Sequence, residues 1–140
     1  MKKILVATDG SDAALKGARA AFELARPFGA QVTVLAVVPP IVLPGDAPWA
    51  PLDEIHQGEL KRGERVVSET LAALGETALN VSTRVMLGPV AETITEVAES
   101  GAFDLVVLGS HGKGTVKRVL LGSVADRVMH LCTRPVLIVP

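Results

Sequence analysis

The chain has 140 residues, is 49% hydrophobic and carries a formal net charge of −1. That length accommodates one domain, residues 1–140, with one core, and so apolar a composition excludes a disordered chain. A near-neutral balance with 3% aromatic residues and no tyrosine excludes the basic field and the stacking platforms of a nucleic-acid binder.

No apolar run approaches the roughly 18 residues that span a membrane. The first apolar run, Ile4-Leu5-Val6-Ala7, stops at Thr8-Asp9-Gly10-Ser11, too early for a signal peptide. A lone Cys132 can form no internal disulfide and reads as a small buried hydrophobe. These features predict a cytoplasmic protein with no membrane partner.

Ile4 to Ala7 reads as a short buried strand. Asp9 to Asp12 is a turn, with Ser11 or Asp12 capping a helix over Ala13 to Arg26. Its charges, Lys16, Arg19, Glu23 and Arg26, lie opposite an alanine-rich face. Gln31 to Val38 (QVTVLAVV) is apolar throughout, as in a strand buried on both faces of a parallel sheet. Pro39 to Pro51 is a proline-rich surface loop, and its Trp49 is a candidate cap for a pocket or a partner. A charged helix runs from Leu52 to about Gly75, weakened by Gly58 and Gly63. Leu79 to Leu87 alternates as an edge strand does. Pro89 opens a helix with Val90, Ile94, Val97 and Ala98 on one face. Leu105 to Leu108 and Val136 to Val139 complete the strands. Strands alternating with helices imply a parallel sheet with helices on both faces, and a ligand crevice at the carboxyl ends of the strands.

Gly109 to Ser123, GSHGKGTVKRVLLGS, is the stretch that carries chemistry. A buried strand leads into a glycine-rich turn. Helical spacing follows at Val116, Val119, Leu120, Val124, Val128 and Leu131, so Gly122-Ser123 falls inside that helical segment. Backbone N–H groups at a helix start suit an anion, and Lys113 adds a positive charge. Two common phosphate motifs fail. A Walker loop needs Ser or Thr where Gly114 stands, and a dinucleotide fingerprint needs Gly where Lys117 stands. Adjacent Ser110 and His111 are not expected to meet as nucleophile and base, and no G-x-S-x-G elbow is present. His56 and His130 read as exposed helix residues, and no histidine or cysteine is spaced for a metal.

The spacing that fits is G-x2-G-x9-G-[ST]: Gly109, Gly112, Gly122 and Ser123. With Thr8-Asp9-Gly10-Ser11 near the start and Arg134-Pro135-Val136-Leu137-Ile138-Val139 near the end, the whole chain resembles the universal stress protein family, ATP-binding type. The resemblance implies a Rossmann-like α/β fold of the adenine nucleotide alpha hydrolase kind, with a five-stranded parallel sheet in order 3-2-1-4-5. It implies a nucleotide crevice lined by Ala7, Thr8 and Asp9, with Asp9 near the ribose or near phosphates carrying Mg2+ or Mn2+. Val37 would recognise adenine through its backbone; Ala36 departs from the histidine common before that position. Gly109, Ser110, His111, Gly112, Lys113, Gly114 and Thr115 would wrap ribose and phosphates, and Gly122, Ser123 and Val124 would hold the phosphate tail.

The implied function is a dimeric, ATP-binding stress-response regulator. Val136 to Val139 would be the edge strand that pairs with a second copy, which also covers an aggregation-prone edge. No residue is assigned a catalytic role, because efficient phosphoryl transfer needs a general base or arginine finger that the sequence does not show. Any ATP hydrolysis is expected to be slow. The alternative is a nucleotidyl- or phosphotransferase on a related fold. The sequence also leaves room for a protein partner that it does not name.

Overall fold

The computed structural model describes residues 1–41, 45, 51–112 and 121–140. Five strands alternate with helices: β1 (Lys3–Ala7), α1 (Asp12–Ala25), β2 (Gln31–Val38), α2 (Leu52–Leu74), β3 (Val81–Leu87), α3 (Val90–Ser100), β4 (Leu105–Gly109), α4 (Ser123–Leu131) and β5 (Val136–Val139). A 3-10 turn, Arg26–Phe28, follows α1. All pairings are parallel and the sheet order is β3-β2-β1-β4-β5, as expected.

Period-two alternation divides the core between the two faces. Ile4 and Val6 of β1 and Val32, Val34 and Ala36 of β2 meet the small residues of α1 and Val67 of α2. Leu5, Leu35 and Val106 point the other way, onto Ile94, Val97 and Ala98 of α3 and Ala125 and Val128 of α4. Central strands are thus buried on both sides, which explains why β1 and β2 are nearly all apolar. β3 begins at Val81, not Leu79, because the Leu79 N–H turns back to Thr77 Oγ1 (3.1 Å). Its Thr83 and Arg84 are exposed, as befits an edge.

Ser11, not Asp12, caps α1, its Oγ accepting from the Ala14 N–H at 3.2 Å. The two glycines of α2 differ in kind. Gly63 is buried, and a Cβ there would overlap Val85 Cγ1, so the glycine lets α2 lie close to the sheet. Gly58 is exposed with nothing within 4 Å. Gly58→Ala is therefore expected to stabilise the protein by about 1 kcal/mol, the helix-propensity difference alone. A urea midpoint at or below that of the unaltered chain would contradict this.

At the amino ends of the strands, Asp104 Oδ2 accepts the N–H groups of Lys2 (2.8 Å) and Lys3 (2.9 Å). The Lys3 ammonium sits 4.5 Å from the Phe103 ring centre. The two backbone N–H groups, Lys2 first, hold the Asp104 carboxyl below its usual pKa. The folded pKa lies under the unfolded one, so this contribution is present above the ordinary aspartate range and is lost as pH falls through the folded value. Asp104→Asn should lower the melting temperature at neutral pH, and the gap from the unaltered chain should close on acidification. A gap that persists at the lowest pH would assign it to something other than the carboxylate charge.

Candidate functional site

Strand order reverses between β1 and β4. The crossover to β2 leaves β1 on one side, and the path to β5 leaves β4 on the other. Loops diverge there and open a crevice at the carboxyl ends of the strands. It holds a cavity of about 290 Å³, near the small end of ligand pockets.

The cavity has two chemical ends. Val37 at the end of β2, Pro39 just after it, and Val90 and Ile94 from α3 make one end, the β2 side, apolar. Asp9, Ser110, His111, Gly112, Gly122 and Ser123 make the other end polar. The structure brings together most of the residues singled out from sequence: Ala7, Thr8, Asp9, Val37, Gly109, Ser110, His111, Gly112, Gly122, Ser123 and Val124 all line it. Lys113, Gly114 and Thr115 lie outside the described residues, as does Trp49. Ala14, Pro39, Val90, Ile94, Leu108 and Ala125 also line it and were not foreseen. The apolar face already assigned to α3 held the signal for Val90 and Ile94, since order 3-2-1-4-5 brings that helix to β2.

Gly122-Ser123 is corrected by the structure. The pair marks a helix start and is not mid-helix: Gly122 is the extended N-cap residue of α4 (φ −69°, ψ 156°), and Ser123 is the first residue of the helix. The Gly122 N–H donates to the Ser110 carbonyl at 2.6 Å, and its own carbonyl accepts from Asp126. The N–H groups of Ser123, Val124 and Ala125 follow, with no intrahelical carbonyl to bond, and all three residues line the cavity. No side chain caps this end. The apolar side of α4 is Ala125 and Val128; Val124 and Leu131, assigned to it by spacing, are 37% and 39% exposed. A cavity-facing residue at a helix start has no neighbouring element to cover it.

Ser110 and His111 do meet, which their adjacency in sequence did not predict. Ser110 Oγ and His111 Nδ1 lie 2.8 Å apart, within hydrogen-bond reach. The Ser110 N–H is bonded to Val139 O (2.8 Å) and its carbonyl to Gly122. The chain bends at Ser110, which is held by these two backbone bonds.

Thr8 lines the cavity, but its donors point elsewhere. Its N–H goes to Leu35 O (2.8 Å), and its hydroxyl meets Thr70 Oγ1 of α2 at 3.0 Å. Asp9 Oδ1 accepts from the Ser11 N–H at 2.9 Å, closing the turn that leads into α1. Behind the site the backbones nearly touch: a Cβ on Gly109 would stand 2.5 Å from the Ala13 carbonyl carbon, and one on Gly17 3.2 Å from the Gly109 nitrogen. Two glycines therefore seat α1 directly on the end of β4. Farther out, Glu92 of α3 accepts from Arg127 of α4, and this hydrogen bond holds the Glu92 carboxyl below its usual pKa. Among the described residues no helix is long and apolar enough to cross a membrane.

A model of the universal stress protein family matches residues 1–140. A universal stress protein of Methanocaldococcus jannaschii is 36% identical, over 99% of this chain and 81% of its own length. Another, from Bacillus subtilis, is 35% identical over 98% of this chain and 97% of its own. Among solved structures, the universal stress protein UspA from Lactobacillus plantarum superposes with a TM-score of 0.86 at 28% identity, covering 99% of this chain and 97% of that one. A universal stress protein solved in complex with cAMP gives 0.69 at 27% identity, with coverage of 99% and 97%. With its sheet order, its glycine spacing and a family match along its entire length, the chain belongs to the universal stress protein family.

Proposed function

We propose that this protein is an ATP-binding regulator whose nucleotide sits in the crevice between β1 and β4, and that it works as a homodimer. The observation that carries the reading is the division of one cavity into an apolar end and a polar end that includes the uncapped start of α4. A base fits the first chemically, and phosphates fit the second. Hydrogen bonds to a charged group contribute about 1.5–3 kcal/mol each. A few of them, with burial of the base, reach the roughly −8 kcal/mol of a micromolar site after association costs. The relative solved with cAMP supports an adenine nucleotide as the ligand class.

Asp9 brings a negative charge to the polar end, which suits phosphates only with a cation between them. Among the described residues no three His, Cys, Asp or Glu side chains converge as a metal site. A Mg2+ or Mn2+ ion would thus take Asp9 as one ligand and draw the others from the phosphates and water. Efficient phosphoryl transfer needs a general base or an arginine finger, and no residue is assigned to either role, so hydrolysis is expected to run well below roughly 1 per second.

Mass spectrometry of ligand released from the purified protein, with calorimetric titration of ATP, AMP and cAMP, tests the assignment. An adenine nucleotide bound at micromolar strength, ATP most tightly, is the expected result. A preparation that carries no nucleotide and takes up none on addition overturns it. Dimerisation rests on β5, an apolar four-residue strand at the sheet edge. Light scattering that gives a monomer mass would remove that part.

A further inference from the structure

We infer that Thr70, on α2 and outside the cavity, is a positioning residue for the nucleotide site and acts through Thr8. This rests on the nucleotide reading above. Thr8 and Thr70 are each only 5% exposed, and their hydroxyl oxygens lie 3.0 Å apart. A hydroxyl has one proton to give. Thr70 gives its proton to the Val66 carbonyl one turn earlier, at 2.8 Å. The shared bond must therefore run from Thr8 as donor to Thr70 as acceptor. Thr8 Oγ1 is left to accept, and the Gly10 N–H lies on it at 3.2 Å.

The direction of every bond in this chain is thus determined, from the Gly10 N–H through Thr8 and Thr70 to Val66. It aims the Thr8 hydroxyl away from the cavity. It also holds the turn of Thr8, Asp9 and Gly10, in which Gly10 has φ +81°. That turn presents Asp9 to the polar end of the cavity. Residues 62 positions apart are joined by one buried hydrogen bond between hydroxyls, so the seating of α2 sets the wall of the site.

Removing the Thr70 hydroxyl at constant shape leaves the Thr8 proton buried without an acceptor. Thr8 then turns, releases the Gly10 N–H and lets Asp9 drift. Thr70→Val should weaken ATP binding about tenfold in calorimetry and speed hydrogen exchange at the Gly10 amide. Thr70→Ser keeps the hydroxyl and should restore both. Val67→Ala serves as a control, because Val67 is a buried α2 residue of the core. It should lower the melting temperature yet leave ATP affinity within about twofold. Unchanged affinity in Thr70→Val, no rescue by serine, or an equal loss in Val67→Ala overturns the inference and leaves the nucleotide reading standing. If Thr70→Val does not fold, Thr70→Ala takes its place beside Thr70→Ser: about a tenfold loss in the alanine variant with affinity retained in the serine variant supports the inference, and equal affinity in the two overturns it. An unaltered chain that binds no nucleotide overturns both.

Discussion

Gly109→Ala should cost about 3 kcal/mol or more, a large share of the 5–15 kcal/mol that holds a typical domain folded. The added Cβ would stand 2.5 Å from the Ala13 carbonyl carbon, 2.6 Å from its oxygen and 2.8 Å from the Ala14 nitrogen. All three are backbone atoms of α1, so no side-chain rotation relieves the contact. Either α1 lifts from the sheet, exposing the face of Ala18, Ala21 and Phe22, or β4 bends where it pairs with Val139 of β5. Thermal melts should show a drop of roughly 10 °C. The same substitution at Gly58 raises stability, so a generic glycine effect cannot account for both outcomes. A loss under about 1 kcal/mol at Gly109 would mean that α1 and β4 yield more readily than close packing allows.

Gly122→Val should weaken nucleotide binding by about tenfold to a hundredfold, the equivalent of the 1–3 kcal/mol of an overpacked contact. Its Cβ would meet the Ser110 carbonyl at 2.9 Å and the His111 Cα at 3.2 Å. Relief requires α4 to draw back from the loop, which breaks the bond from the Gly122 N–H to Ser110. The N–H groups of Ser123, Val124 and Ala125 move with it, away from any phosphates. The backbone at Gly122 is in an ordinary extended conformation, so strain in φ plays no part. Calorimetry with ATP, alongside a melt, separates the two consequences. Unchanged affinity in a folded variant would remove the α4 start from the phosphate contacts.

Most of the fold was legible in the sequence because apolar pattern and turn chemistry agree along the chain. QVTVLAVV could only be a strand covered on both faces, and Pro89 and Gly101 bracket α3. The wall of the candidate site was legible where it is made of glycines at fixed spacing. What escaped has physical reasons. The start of α4 was hidden because Val116 to Leu131 keeps one helical spacing, and a glycine at an N-cap looks the same in sequence as a glycine within a helix. The Ser110–His111 contact lies where Ser110 is anchored to Val139 and Gly122, neither of which is local. The link from Thr8 to Thr70 joins two hydroxyls with no sequence signal between them. Cys132 and His56 are both half-buried, not buried and exposed respectively as their types suggested.

The reversal of strand order has a consequence for the time course of folding. β1 meets β2 within a short stretch of chain, Ile4 beside Val32. It meets β4 only after a loop of about a hundred residues has closed, Ile4 beside Leu105. Closing so long a loop costs entropy before any contact repays it, and pairings of that kind are slow to form. The cavity lies on that late seam. A chain with only β1, β2 and β3 assembled has the Val37 side of the cavity and none of Gly109, Ser110 or Gly122. A ligand of this cavity would therefore act on the finished molecule alone. It would slow unfolding and leave the rate of refolding nearly unchanged, so that occupancy lengthens the life of the fold without helping it to form.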